Sequence, residues 1–137
     1  MALAPCLFAH YLGAGAYAEY AIVVCVITSK LGDVSPRDVG TLPEVSMTSA
    51  QALKKAGAPW DPKKNVTVVI TSGSGGTGFV AVQLAKAYGA GTVITATGGQ
   101  ANIDFLKSIG ADIVVDYHQQ ELFSTLANNS VDVVYDK

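Results

Sequence analysis

One stretch constrains this chain more than any other. Val66-Thr67-Val68-Val69-Ile70 is a near-continuous apolar run, and it passes directly into Thr71-Ser72-Gly73-Ser74-Gly75-Gly76-Thr77-Gly78. Such a run fits a strand buried on both faces. The glycines that follow have the spacing Gly73-x-Gly75-x-x-Gly78. In a chain with 14 glycines that spacing alone is weak. Between an apolar strand and an amphipathic helix, within a βαβ unit of about 30 residues, it points to a loop that cradles a dinucleotide. Gly73 allows a tight turn, Gly75 lets the backbone approach a pyrophosphate, and Gly78 lets the helix pack on the strand. The helix N-terminus adds unpaired N–H groups and the positive end of its dipole. Each hydrogen bond to a charged phosphate contributes about 1.5–3 kcal/mol. The competing reading is a βα connection that holds no ligand.

The rest of the C-terminal half repeats the same alternation. Helical spacing covers Gly76–Tyr88, with Val80, Leu84, Ala87 and Tyr88 on one face, and Gly89 as its stop. Strand patterns at Thr92–Ala96, Ile113–Val115 and Val131–Tyr135 alternate with helical ones at Ala101–Ile109 and Gln119–Ala127. Short right-handed crossovers then give a parallel α/β sheet, β-α-β-α-β-α-β. Gly57, Pro59 and Pro62 break the chain ahead of this region, so the boundary is read in the segment Gly57–Asn65. Before it the text is irregular. Tyr17–Val24 and Val26–Thr28 read as strands, Leu31–Pro36 as a turn, and Thr41–Lys55 as a helix with Pro43 near its start.

Composition narrows the class of function. The chain has 137 residues, half of them apolar, and a formal charge of −2. Disorder is excluded as the dominant state, and no basic excess suggests nucleic acid. Only 15% of residues are charged, against about 25% in ordinary soluble domains, which fits strands covered on both faces. No Lys or Arg precedes the apolar N-terminal stretch, and Pro5, Gly13, Gly15 and Glu19 interrupt it. It therefore reads as β-structure, not as a signal peptide or a membrane span. Two cysteines make no disulfide framework, so a reducing, cytoplasmic setting is expected.

The end of the second strand bears on the choice of dinucleotide. An Asp or Glu there, about 20 residues beyond the glycines, would bind a ribose 2′-OH. The chain reads Ala96-Thr97-Gly98-Gly99-Gln100 instead. Without an acid to repel a 2′-phosphate, NADP(H) is favoured over NAD(H). No Lys or Arg follows until Lys107, so the preference comes from permission, not attraction.

Four segments, GAYAEYAIV, TLPEVSMTSAQAL, VVITSGSGGTGFVAVQLAKAYGA and LKSIGADIVVDY, together resemble the zinc-independent quinone oxidoreductase branch of the medium-chain dehydrogenase/reductase superfamily. The resemblance covers nearly the whole chain. It implies a partial Rossmann-type doubly wound parallel sheet over residues 59–137, the first half of a coenzyme domain. Residues 1–58 would be the β-rich tail of an alcohol dehydrogenase-like catalytic domain, with further chain expected on both sides. It also implies site residues. Thr48 matches a threonine near the nicotinamide end of the cofactor. Ser74, Gly75, Gly76 and Thr77 match the pyrophosphate loop. Gly99 and Asn102 stand where relatives carry Ser or Thr and a basic residue that grips the 2′-phosphate. Tyr117 matches a tyrosine at the adenosine-phosphate end. The implied activity is NADPH-dependent reduction of a quinone or an activated C=C bond. A non-catalytic, crystallin-like role is the alternative. A homo-oligomer is expected, because a half sheet leaves the Val131–Tyr135 edge open to pairing.

The remaining chemistry-bearing residues read as packing or solvated surface. Cys6 and His10 are too few for a zinc site, and Cys25 lies in an apolar run. His118 reads as a solvated loop histidine, and Tyr11, Tyr17 and Tyr20 as strand aromatics. No catalytic nucleophile or proton donor stands out.

Overall fold

The computed structural model describes residues 2–3, 29–30, 32–35, 37, 40 and 42–136. The strand readings at Tyr17–Val24 and Val26–Thr28, together with Cys6, His10 and Cys25, lie outside the described residues. The chain forms two compact units, Met1–Met47 and Thr48–Lys137. This division falls ahead of the breaker residues because Ser49, Leu53 and Ala58 are buried in the second unit. In the first unit, β1 (Ala2–Leu3) pairs antiparallel with β2 (Ser29–Lys30).

The second unit carries the site. The helix α1 (Leu42–Lys55) leads into it. A short 3₁₀ turn, Pro62–Lys64, is capped by Asp61, whose carboxylate accepts the Lys63 N–H at 3.0 Å. Then follow β3 (Thr67–Ile70), α2 (Gly78–Ala87), β4 (Thr92–Thr97), α3 (Gln100–Ser108), β5 (Ile113–Asp116) and β6 (Val133–Tyr135). The four strands form one parallel sheet in the order β5-β4-β3-β6. Chain order reverses between β3 and β6, as a doubly wound sheet requires.

Alternation along the strands sorts the core into two faces. Val68, Ile70 and Val93 pack with Leu53, Ala81, Ala85 and Leu106 from α1, α2 and α3. Val69, Ile94, Ala96 and Val115 face the other way, against Leu122, Leu126 and Val131 of the last crossover. Gly89 and Gly110 end their helices with φ of 90° and 110°, conformations that a Cβ disfavours. Aspartates lead two of the strands. Asp112 accepts the Val93 N–H at 2.7 Å and the Lys86 ammonium at 2.7 Å, and Asp132 accepts the Thr67 N–H at 2.8 Å.

One expected element is different. The spacing predicts a helix over Gln119–Ala127, but the segment holds only a 3₁₀ turn at Phe123–Thr125. Leu122 and Leu126 supply one helical repeat, and local side chains then compete with the backbone. The Thr125 hydroxyl donates to the Leu122 carbonyl, and Ser130 donates to that of Ala127. Asn129 adopts φ 58°, which ends any helix.

Leu106 is fully buried and anchors α3 to the sheet. Leu106→Ala should lower the unfolding free energy in urea by about 2–5 kcal/mol. Ile113→Ala, at a residue 47% exposed, should cost less than about 1.5 kcal/mol.

Candidate functional site

The strands differ in length, and that difference builds the site. Ile70, the last residue of β3, pairs with Thr95, while β4 runs on to Thr97. Ala96 and Thr97 therefore lie beside the glycine loop. The Gly73 N–H donates to the Ala96 carbonyl at 3.2 Å. The Thr97 hydroxyl donates to Ser74 Oγ at 2.7 Å, and the buried Thr95 hydroxyl to the Ile70 carbonyl at 2.7 Å. From the other side Ser49, fully buried on α1, donates to the Thr77 carbonyl at 3.0 Å. The loop is held at both flanks by neutral hydrogen bonds.

The three glycines have separate tasks. None has a positive φ, so Gly73 is required by close approach rather than by turn conformation. A Cβ at Gly73 would be driven into the Thr95 hydroxyl, and one at Gly78 into the Ser72 carbonyl. Both glycines are fixed by packing. At Gly75 a Cβ would meet only the Ser72 carbonyl and hydroxyl oxygens, each at 3.3 Å. A side chain there fits only if Ser72 gives by a few tenths of an ångström, a milder conflict than at Gly73 and Gly78. Glycine at this point leaves the α2 N-terminus open to a pyrophosphate. Gly75 and Thr77 do supply carbonyls to the Phe79 and Ala81 N–H groups, which starts the helix.

The other expected residues fall along the same C-terminal edge of the sheet. Gly99 precedes α3 with φ 84° and has open space around it. The Asn102 amide donates to the Gly98 carbonyl at 2.8 Å. Tyr117, 60% exposed, follows β5. With Thr71, Ala96, His118 and Leu122 it lines an open cleft of about 550 Å³. Thr48 lies apart from these, on α1, where a separate hollow of about 250 Å³ runs beside Val133–Asp136. Thr71 donates to the Asp136 carboxylate at 2.7 Å, which bridges the ends of β3 and β6 at the point of reversal.

Ser49, Thr95 and Thr97 were not singled out in the sequence. Their signal is a polar residue in an apolar setting: Ser49 one turn before Leu53, and Thr95 and Thr97 two apart at the end of an apolar strand. Among the described residues no group of His, Cys, Asp or Glu is placed to hold a metal ion.

This geometry has close counterparts. The family described as zinc-binding dehydrogenase matches residues 76–137. A chloroplast envelope quinone oxidoreductase homolog of Arabidopsis thaliana is 42% identical over 118 residues, which is 81% of this chain and 34% of the relative. The solved quinone oxidoreductase of Coxiella burnetii is 34% identical with a TM-score of 0.77, covering 90% of this chain and 37% of that one. The chain resembles quinone oxidoreductases over most of its own length. It spans about a third of the length of the curated relatives it matches. A mycobacterial protein solved with NADPH is 30% identical with a TM-score of 0.65, covering 76% of this chain and 31% of its own.

Gly75→Val should keep its far-UV circular dichroism, because a side chain there asks Ser72 for only a few tenths of an ångström. Its branched side chain should occupy the pyrophosphate path and weaken NADPH binding in a fluorescence titration by at least about tenfold. Normal binding by the folded variant would make the loop a connection only.

Proposed function

We propose that this chain forms the pyrophosphate and adenosine end of an NADPH site in an oxidoreductase that reduces a quinone or an activated C=C bond. The observation that carries this is the glycine loop at the N-terminus of α2, fixed on both sides by the Thr97–Ser74 and Ser49–Thr77 hydrogen bonds, with Gly75 between them. NADPH complexes among related structures support the choice of cofactor, and quinone oxidoreductases among the relatives support the reaction class. The bound nicotinamide supplies a hydride to an electron-poor carbon.

The residues of this chain bind and orient. The α2 N-terminus and the Ser74–Thr77 backbone neutralise the pyrophosphate. Thr97 aims Ser74, and Ser49 fixes Thr77, so the loop does not reorganise on binding. Thr48 and the end of β6 lie toward the nicotinamide half, and Gly99, Asn102 and Tyr117 toward the 2′-phosphate. Residues 1–58 as the tail of a catalytic domain, zinc-independence, a reducing compartment and self-association through β6 belong to the same proposal. Among the described residues, no helix is long and apolar enough to cross a membrane.

Fluorescence titration should give tighter binding of NADPH than of NADH. Asn102→Arg should improve NADPH alone, by about fivefold, through a charge-assisted hydrogen bond. Equal affinities, or a preference for NADH, would contradict the cofactor choice. Binding without turnover of any quinone would favour the non-catalytic role.

A further inference from the structure

The two hollows of the second unit lie toward opposite faces of its sheet. Ala96 and Leu122, in the wall of the larger cleft, belong to the face of Val69. Leu53 and Tyr135, in the wall of the smaller hollow, belong to the face of Ile70. A ligand that occupies both must cross the C-terminal edge of the sheet. A doubly wound sheet takes its ligand where strand order reverses, here between β3 and β6. The parallel register of these strands ends with Ile70 beside Tyr135, so Thr71 and Asp136 come next. The Thr71 N–H donates to the Tyr135 carbonyl at 3.1 Å, and the Thr71 hydroxyl donates to Asp136 Oδ1 at 2.7 Å. Thr71 lines the larger cleft and Asp136 the smaller hollow. The bond between them is therefore the saddle that separates the two. Thr71 also begins the glycine loop, whose later residues are held by Thr97 and Ser49. Asp136 holds the loop at its start, and it alone among these partners is a carboxylate.

We infer that Asp136 is a positioning residue for the dinucleotide: by accepting the Thr71 hydroxyl it fixes the saddle over which the ligand passes from the cleft to the hollow. The inference rests on the dinucleotide reading of the glycine loop. It gives Asp136 work that acts through Thr71 and needs no contact with the ligand. Two consequences separate this role from simple support of the fold. The role needs an acceptor oxygen, not a charge, since a carboxylate beside the path of a pyrophosphate repels it. The role is also exerted at the crossing. A ligand confined to the cleft side of the saddle does not sense it, whereas one that spans both hollows does.

Calorimetric titration with two ligands tests this, on the chain itself and on Asp136→Ala, Asp136→Asn and Thr71→Val. The ligands are NADPH, which spans the crossing, and adenosine 2′,5′-bisphosphate, which carries only the adenosine half. Asp136 is exposed and Thr71 half-buried, so the variants should keep the far-UV spectrum of the parent. Asp136→Ala and Thr71→Val should each weaken NADPH about three- to tenfold and adenosine 2′,5′-bisphosphate by less than about twofold. The double variant should lose no more than either single one, because both remove the same bond. Asp136→Asn keeps the acceptor and sheds the charge, so it should bind NADPH at least as tightly as the parent. If Asp136→Ala binds NADPH as the parent does, or loses both ligands equally, the inference falls while the site stands. A loss of NADPH in Asp136→Asn equal to that in Asp136→Ala also overturns it. If the parent binds neither ligand, the reading of the glycine loop falls, and the inference with it.

Discussion

The second unit depends on one close approach: the passage of the backbone from β3 into α2 through the space between Thr95 and the start of the helix. Parallel strands lie only about 4.8 Å apart. A loop leaving a central strand must therefore clear its neighbour's side chains at once. The structure meets this with two glycines that cannot be replaced without clash, Gly73 against Thr95 and Gly78 against the Ser72 carbonyl. Once those contacts are made, the longer β4 strand brings Thr97 to Ser74. The third glycine, Gly75, then lies at a helix N-terminus, where a side chain would press on Ser72 at 3.3 Å without a severe clash.

Much of this was legible in the sequence. The apolar run Val66–Ile70, the glycine spacing and the helix stops at Gly89 and Gly110 each have one physical interpretation once taken together. They fixed the element order and the parallel α/β class. Two things were not legible. The last crossover looked helical because Leu122 and Leu126 share a spacing with helices, yet Thr125, Ser130 and Asn129 satisfy or divert the backbone locally. The loop's fastenings were also hidden. Ser49 and Thr97 are ordinary polar residues until the fold places them against the Thr77 carbonyl and Ser74, and nothing local marks so distant a pairing.

The site is unusual in how little charge it offers. The glycine loop is fastened by neutral hydroxyls, and the β4–α3 loop carries neither the acid that would select a ribose hydroxyl nor a base that would grip a phosphate. Its two nearby amides are committed, Asn102 to the Gly98 carbonyl and Gln100 to Asp104. Across the sheet edge, Tyr117 and His118, which follow β5, lie against Gly98. Spacing within the glycine motif does not display such a residue, because α3 separates β4 from β5 along the chain. His118 reads as a solvated loop residue along the chain and as a neighbour of Gly98 in the fold.

The central claim is that the backbone between Ser74 and Phe79 receives the pyrophosphate of NADPH. Titrating the isotopically labelled chain with NADPH while recording backbone amide resonances tests it residue by residue. The largest shifts should fall on the amides of Ser74 through Phe79, with a second group at Gly98, Gly99 and Tyr117. Shifts confined to the hollow beside Val133–Asp136, or no shifts in the glycine loop at saturating NADPH, would contradict the account.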